Sequence, residues 1–318
     1  MKLGLRLPQR LRVDLQHDLV EAAKTAEAAG YSSLWTYEQL LFAETPIEPY
    51  APPNVPWPES GRQTADPLAV LTAAAVVTEQ VRLGTAVLIA ALHTPLQLAK
   101  QLATIDQISG GRVVAGMGAG WATDGLQAAG ATRADRGRFL DETLDVFEAV
   151  WGPDLVNFRS PRVIINNAAV LPKPVSKIPV MLAGGAANLG RSGSPKAMER
   201  VAKRADGWLP LLTTPGPAGA AELHANWDRI REMASEYGRD ASRMEMVVVG
   251  NITFTDRLAG PDRSAFIGTL DQIMEDIHTA AEAGANELIL DLNLQDSFTN
   301  TQQMLETAVE IRERAPAS

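Results

Sequence analysis

The chain has 318 residues, 46% of them hydrophobic and 21% charged, with a formal net charge of −9. That is ample apolar material for a large core, and the acidic balance works against recruitment of nucleic acid or an anionic membrane. No cysteine is present, which excludes disulfides, thiolate metal sites and cysteine nucleophiles.

The chain opens on MKLGLRLPQRLRVDL, an apolar run interrupted by Arg6, Arg10 and Arg12, so it reads as neither a secretion signal nor an anchor. No uncharged apolar run approaches the roughly 18 residues a spanning helix needs, and a soluble, cytoplasmic protein is expected. β-like runs then recur in order: LGLRL (3–7), SLWTY (33–37), RLGTAVL (82–88), RVVAGM (112–117), IPVML (178–182), GWLPLL (207–212), EMVVVGNITF (245–254) and ELILDL (287–292). They are rich in Val, Ile and Leu without clean polar alternation, as suits strands buried on both faces. Segments with helical spacing lie between them. Over 135–151, Phe139, Leu140, Leu144, Phe147, Val150 and Trp151 fall on one stripe. Asp66-Pro67, Thr94-Pro95 and Ser194-Pro195 place a capping side chain before a proline at the first helical position. Gly30, Gly110 and Gly284 sit where a left-handed residue ends a helix. Two stretches, AEAAGYSSL (26–34) and AEAGANEL (281–288), run alike from a helix end through glycine into a strand.

Eight strands each followed by a helix predict an α/β fold, a (β/α)8 TIM barrel with insertions, over 1–318 as one domain. A doubly wound open sheet is the alternative; the eightfold count and the lack of a dinucleotide fingerprint argue against it. A barrel puts its chemistry on the loops after its strands. The segment 39–66 follows the second strand and contains PYAPPNVPWPESGR, so a lid or pocket wall is expected, with Tyr50 and Trp57 as substrate contacts. The segment 152–178 precedes the fifth strand and is expected as a small insertion on the opposite face.

Gly116-Met-Gly118-Ala-Gly120-Trp poses a separate question. Read as a dinucleotide fingerprint, its last glycine slot holds Trp121 in one register and Thr123 in the other, so the motif fails. No Gly-Lys-Ser/Thr follows, which removes the Walker pattern too. Two readings stay open: the glycines bring backbone close to a flat ring or phosphate, or they relieve crowding inside a barrel strand.

The stretch TIDQISGGRVVAGMGAGW (104–121) resembles the signature of the bacterial luciferase-like monooxygenase superfamily. DPLAVLTAAAVVTEQVRLGTAVL (66–88), HTPLQLAKQLATIDQISGGR (93–112), IPVMLAGG (178–185) and RADGW (204–208) resemble their counterparts in order. The likeness is greatest to the subgroup that uses the deazaflavin coenzyme F420; other members use reduced FMN and oxygen. It implies a non-prolyl cis peptide at Ala86–Val87 backing the cofactor ring, and Ala119, Gly120 and Trp121 lining it. It also implies that Gly184 and Gly185 approach the cofactor phosphate. AANLGRSG (186–193) departs from the shorter link usual in the family, and Arg191, Ser192 and Ser194 are candidates to wrap that phosphate. Some sugar-phosphate dehydrogenases of the superfamily carry Asp-His where this chain has Glu38 and Gln39, and an acid where it has Trp121.

Of the histidines, His17, His224 and His278 fall in helical segments, while His93 follows the third strand on the catalytic face. Imidazole titrates near pH 6.5, about right for proton transfer, so His93 and Glu38 are the candidate catalytic residues. Arg133, Arg136 and Arg138 cluster at a helix start, where cations are disfavoured. They are expected to pair with Asp135, Asp141 or Glu142, or to receive an anionic cofactor tail. The expected function is an F420-dependent oxidoreductase acting on a small organic molecule, with no metal, and a homodimer as in the family. An FMN-dependent monooxygenase using oxygen is the alternative; a cofactor-binding protein without catalysis is a third.

Overall fold

A computed structural model describes residues 1–10, 13–50, 56–184, 194–295, 297–298 and 300–315. In chain order the elements are β1 (Lys2–Arg6), α1 (Asp18–Ala28), β2 (Ser33–Thr36), α2 (Pro67–Val77), β3 (Arg82–Thr85), β4 (Leu88–Ile89), α3 (Pro95–Ser109) and β5 (Val113–Gly118). There follow α4 (Thr123–Ala128), α5 (Arg136–Trp151), β6 (Val156–Arg159), β7 (Ile164–Ala168), β8 (Val180–Ala183), α6 (Pro195–Arg204) and β9 (Gly207–Leu209). The last are α7 (Gly216–Glu236), β10 (Glu245–Asn251), β11 (Thr253–Phe254), β12 (Ile267–Gly268), α8 (Leu270–Glu282), β13 (Glu287–Asp291) and α9 (Thr301–Arg314). No helix among the described residues is long and apolar enough to cross a membrane.

The strands pair in the order β3-β2-β1-β13-β10-β9-β8-β5-β4, and a β3–β5 pairing closes the ring. The result is a closed parallel (β/α)8 barrel, as the spacing predicts. The third run, read as continuous over 82–88, is divided: β3 pairs with β2, β4 pairs with β5, and the Ala86–Val87 peptide bond between them is cis. The run 245–254 is also divided, because Thr253–Phe254 leaves the barrel to pair with Ile267–Gly268. β6 and β7 form an antiparallel hairpin. The segment that follows is held to the C-terminal ends of α3 and α5: Val175 N donates to Asp106 Oδ2 at 2.8 Å and Lys173 Nζ to the Val150 carbonyl at 2.8 Å.

Helix ends follow the expected chemistry with one departure. The Asp66 carboxylate accepts from Ala69 N at 2.8 Å and the Ser194 hydroxyl from Ala197 N at 3.3 Å. Gly110 closes α3 at φ +71°, a conformation costly for any residue with a Cβ. Thr94 stands at the start of α3 but its side chain makes no capping bond; Pro95, which has no N–H, removes one of the groups a cap would satisfy.

Inside the barrel, Trp35, Val114, Met181, Leu209, Val247 and Ile289 pack in one buried layer. Trp35 fills the width of that layer because its neighbours lack side chains. A Cβ on Gly4 would stand 2.8 Å from its Nε1, and one on Gly84 2.3 Å from its Cε3. The glycines of β5 serve the same end. A Cβ on Gly116 would meet the Thr85 carbonyl oxygen at 1.6 Å, one on Gly118 would meet Val87 Cγ2 at 2.7 Å, and one on Gly120 would meet Ile89 Cγ2 at 2.7 Å. Gly116 and Gly118 of β5 and Gly120 just beyond it are thus bare where they face Thr85, Val87 and Ile89 of the divided third strand. The alternation relieves crowding, and its gaps are filled by protein.

Gly116→Ala is therefore expected to lose at least about 2 kcal/mol of stability, because the obstacle is backbone. Gly125→Ala, on α4 with no atom within 4 Å of the added carbon, is expected to gain about 0.5–1 kcal/mol. Urea denaturation midpoints of the two variants check this, and equal midpoints would refute the packing account.

Candidate active site

The mouth at the C-terminal ends of the strands holds an unusual density of polar groups for a barrel whose interior is otherwise apolar. Arg6, at the end of β1, reaches two strands at once. Its Nη1 donates to Asp291 Oδ2 at 2.6 Å and its Nη2 to the Ala86 carbonyl at 2.7 Å. Asp291, at the end of β13, also accepts from Asn293 N at 3.0 Å and Asn293 Nδ2 at 2.9 Å, both on Oδ1. Burial pushes its carboxyl up; Arg6, Arg10 and the Asn293 bonds outweigh burial and hold its pKa below the ordinary value. A sequence reading passes over these residues, yet the signal is present: LGLRL and LILDL each carry one charge in an otherwise apolar strand.

Glu38 and His93 lie 55 positions apart in sequence and meet at the mouth, with His93 Nε2 at 2.7 Å from Glu38 Oε1. The second carboxylate oxygen accepts from Ile89 N at 2.6 Å, so β4 fixes the carboxylate and the carboxylate fixes the ring. Their side chains are 7% and 17% exposed, so the Glu38 carboxylate is largely shielded although the residue as a whole is half-buried. A carboxylate only accepts, so Nε2 carries the proton and Nδ1 is the basic nitrogen. Gln39, next in sequence, donates to the Gly61 carbonyl at 2.9 Å and helps fold the following segment.

That segment lies against the mouth. Trp57 is 7% exposed and donates to the Glu48 carbonyl at 2.9 Å. Its ring stands edge-on to Trp121 at 5.2 Å and to Phe42 at 5.8 Å, and Tyr50 stands edge-on to Trp121 at 5.7 Å. The two aromatic residues singled out in the segment thus join Trp121 in one cluster. Ile47 N donates to Asp124 Oδ2 at 3.1 Å, which ties the segment to α4.

On the far side of the mouth, Gly184 adopts φ +101° and its carbonyl accepts from Trp208 Nε1 at 2.7 Å. Ser194 begins α6 as its cap. Gly185, Arg191 and Ser192 lie outside the described residues. Ala119, Gly120 and Trp121 are half-buried at the end of β5, and the Gly120 carbonyl accepts from Arg136 Nη1 at 3.1 Å. The arginine cluster departs from its expected pairing. Arg138 takes Asp135 at 2.9 Å, but Arg133 pairs with Glu48 of the mouth segment. Asp141 and Glu142 are occupied by Arg200 and Arg162 instead, since partners from α6 and the β6–β7 hairpin approach them from outside the helix. His17, His224 and His278 are exposed.

Part of the sequence signature has a scaffolding task. Arg112 of SGGR donates to the carbonyls of Ala75 at 3.0 Å, Thr78 at 2.8 Å and Val81 at 2.9 Å, on the face opposite the mouth. There a cation satisfies carbonyls at the C-terminal end of α2.

Arg6→Met is expected to destabilise the protein by about 3–5 kcal/mol at neutral pH, because it strips a buried carboxylate of its nearest cation. The folded pKa of Asp291 is depressed, so the pair's contribution is complete above the unfolded carboxyl value of about 3.9 and is lost as pH falls through the lower folded one. In the variant the carboxyl is expected to protonate at higher pH and so relieve itself. Urea midpoints of the two proteins should draw together between about pH 7 and about pH 4; a constant gap would show that another contact is responsible.

The sequence model described as luciferase-like monooxygenase matches residues 1–258. Among curated relatives, a protein of Mycobacterium tuberculosis (strain ATCC 25618 / H37Rv) is 38% identical over 154 residues, 48% of this chain and 51% of its own. The chain thus spans about half the length of that relative. The F420-dependent glucose-6-phosphate dehydrogenase of Amycolatopsis mediterranei (strain U-32) is 30% identical over 237 residues, 70% of this chain and 66% of the relative. Among solved structures, an F420-dependent secondary alcohol dehydrogenase in complex with an F420–acetone adduct aligns at TM-score 0.74 and 19% identity, covering 98% of this chain and 97% of that one. The FMN-bound oxygenating constituent of 3,6-diketocamphane monooxygenase from Pseudomonas putida aligns at TM-score 0.61 and 19% identity, covering 80% and 68%. At such identities the structural likeness speaks for the fold.

Proposed function

Because the chain belongs to the luciferase-like monooxygenase family, we propose that it is an oxidoreductase that binds the deazaflavin F420 at the mouth of its barrel and acts on a small organic molecule. The observation that carries this reading is a group of buried polar atoms at the mouth with no hydrogen-bond partner among the described residues. Arg6 Nε, Thr36 Oγ1 and Asn251 Oδ1 are such atoms, and they stand at the C-terminal ends of β1, β2 and β10. Each unsatisfied buried group costs about 1–3 kcal/mol, and three on one face fit a ligand with a polar, planar edge.

In this proposal Ala86 and Val87 form the wall behind the ring, with the Ala86 carbonyl held by Arg6. Ala119, Gly120 and Trp121 border it. Gly184, Gly185, Arg191, Ser192 and Ser194 receive the phosphate near the start of α6, where backbone amides and helix dipole favour an anion. Ser194 accepts a backbone bond and keeps its own hydrogen to donate. Bound F420 supplies hydride to an electron-poor carbon, or takes one in the reverse direction. His93 then gives or accepts the accompanying proton at Nδ1, while Glu38 fixes the ring through Nε2. Trp57 and Tyr50 close the site against water beside the substrate. We extend the proposal to a homodimer, which sedimentation velocity would register as about twice the 34.1 kDa of the chain.

The FMN-bound relative of the same fold favours a second reading, an FMN-dependent monooxygenase that consumes oxygen. Parallel fluorescence titrations with F420 and FMN, followed by oxygen uptake during turnover, separate the two. Tight binding of F420 and turnover without oxygen uptake are expected; tight FMN binding with oxygen uptake would replace the first reading by the second. His93→Ala is expected to lower kcat by about 10²–10⁴-fold and leave cofactor affinity within about twofold. Full turnover by that variant would remove His93 from the reaction.

A further inference from the structure

In the closed ring, β10 is reached from β3 through β2, β1 and β13 in one direction and through β5, β8 and β9 in the other, so it stands directly across the barrel. Its last residue, Asn251, points inward. Val247 and Val249 belong to the buried interior layer, and side chains alternate along a strand. A Cβ on the intervening Gly250 would meet the ring of Phe266, a member of the core outside that layer, at 2.7 Å. By register Asn251 lies beside Asp291. Its Oδ1 is buried with no hydrogen-bond partner among the described residues, while the residue as a whole is half-buried and so open to the mouth.

The surroundings of that oxygen are divided. Val87, Ala183 and Leu211 are partly buried and lie on the interior layer at its mouth side. Arg6 and Asp291, the last residues of β1 and β13, hold each other at 2.6 Å. In the strand order Asn251 stands between these two regions, with β9 and Leu211 on one flank and β13 and Asp291 on the other. The two ions answer each other, so what Asn251 adds to the floor is a neutral acceptor. A buried acceptor left unpaired is costly until a ligand donates to it. A flat ring leaning on Ala86–Val87 turns its free face toward β10, and whatever reacts with that ring lies between the two.

We infer that Asn251 is a specificity-determining residue, whose Oδ1 accepts a hydrogen bond from the hydroxyl of a neutral substrate with an apolar body lying over Leu211 and Ala183. A hydroxyl brings the missing donor without a charge. An ammonium would add an unbalanced charge to a floor whose ions are already paired. Calling the ligand a substrate rests on the oxidoreductase reading above, whereas the preference of Asn251 for a hydroxyl does not depend on it.

The test is calorimetric titration of the full chain, with and without reduced F420, using cyclohexanol, fluorocyclohexane and cyclohexylammonium as probes. The reduced cofactor takes no hydride from an alcohol, so binding is read without turnover. Cyclohexanol should bind at least about fivefold more tightly than either analogue in both titrations. Asn251→Leu should bring cyclohexanol and fluorocyclohexane together, and Asn251→Thr, which keeps an acceptor, should retain part of the preference. Equal binding of cyclohexanol and fluorocyclohexane to wild type, no binding of cyclohexanol, or tighter binding of the ammonium would each overturn the inference. A preference that survives in Asn251→Leu would overturn it too, and a loss of F420 affinity alongside would give Asn251 to the cofactor instead. The wild-type comparison decides alone if Asn251→Leu does not fold. A hydroxyl preference without binding of either cofactor would sink the oxidoreductase reading and leave Asn251 its ligand; cofactor binding without the preference would do the reverse.

Discussion

Arg6 stands at the seam where the first and last strands of the barrel meet. β1 and β13 pair in parallel register from Lys2–Glu287 to Leu5–Leu290, and one guanidinium just beyond that register grips Asp291 on one side and the Ala86 carbonyl on the other. A buried ion pair of this kind is a weak contributor to net stability, since apolar residues of equal volume do as well. Its value lies in geometry. It ties together three strand ends at the mouth, and a charge placed there cannot slide without losing its partner. The apolar layer around Trp35 closes the lower barrel by shape; the upper barrel is set by directed bonds.

The two halves of the 104–121 stretch divide along the same line. SGGR works on the closed face, where Arg112 gathers the loose carbonyls of the α2 end. The glycines that follow climb toward the mouth and yield space to Thr85, Val87 and Ile89. Their bareness lets the residues of the third strand pack directly against them.

The barrel was legible because buried parallel strands write themselves as short apolar runs, and all eight runs became strands. Glu38 and His93 were legible singly, from their places after the second and third strands, but their 2.7 Å contact was not. Only closure of the barrel brings those two loops side by side. Arg6, Asp291 and Arg10 escaped for a different reason. A charge within an apolar strand looks like an interruption until its partner, some 285 residues away in the case of Arg6 and Asp291, is known to lie across the seam. The arginines of α5 show the limit of local pairing rules, since Glu48, Asp141 and Glu142 chose partners by tertiary approach.

The segment from Gln39 to Asp66 gathers these features into one enclosure. Its Ser60 accepts from Arg10, its Trp57 packs on Trp121 at the end of β5, and its Ile47 hangs from Asp124 of α4. Its return into α2 is pinned by Gln9, whose backbone carbonyl accepts from Ala65 N at 2.8 Å and whose side chain donates to the Ala65 carbonyl at 3.1 Å. Contacts spread over both flanks of the mouth hold the described parts of this segment to the chain after β1, to the end of β5 and to α4 at once.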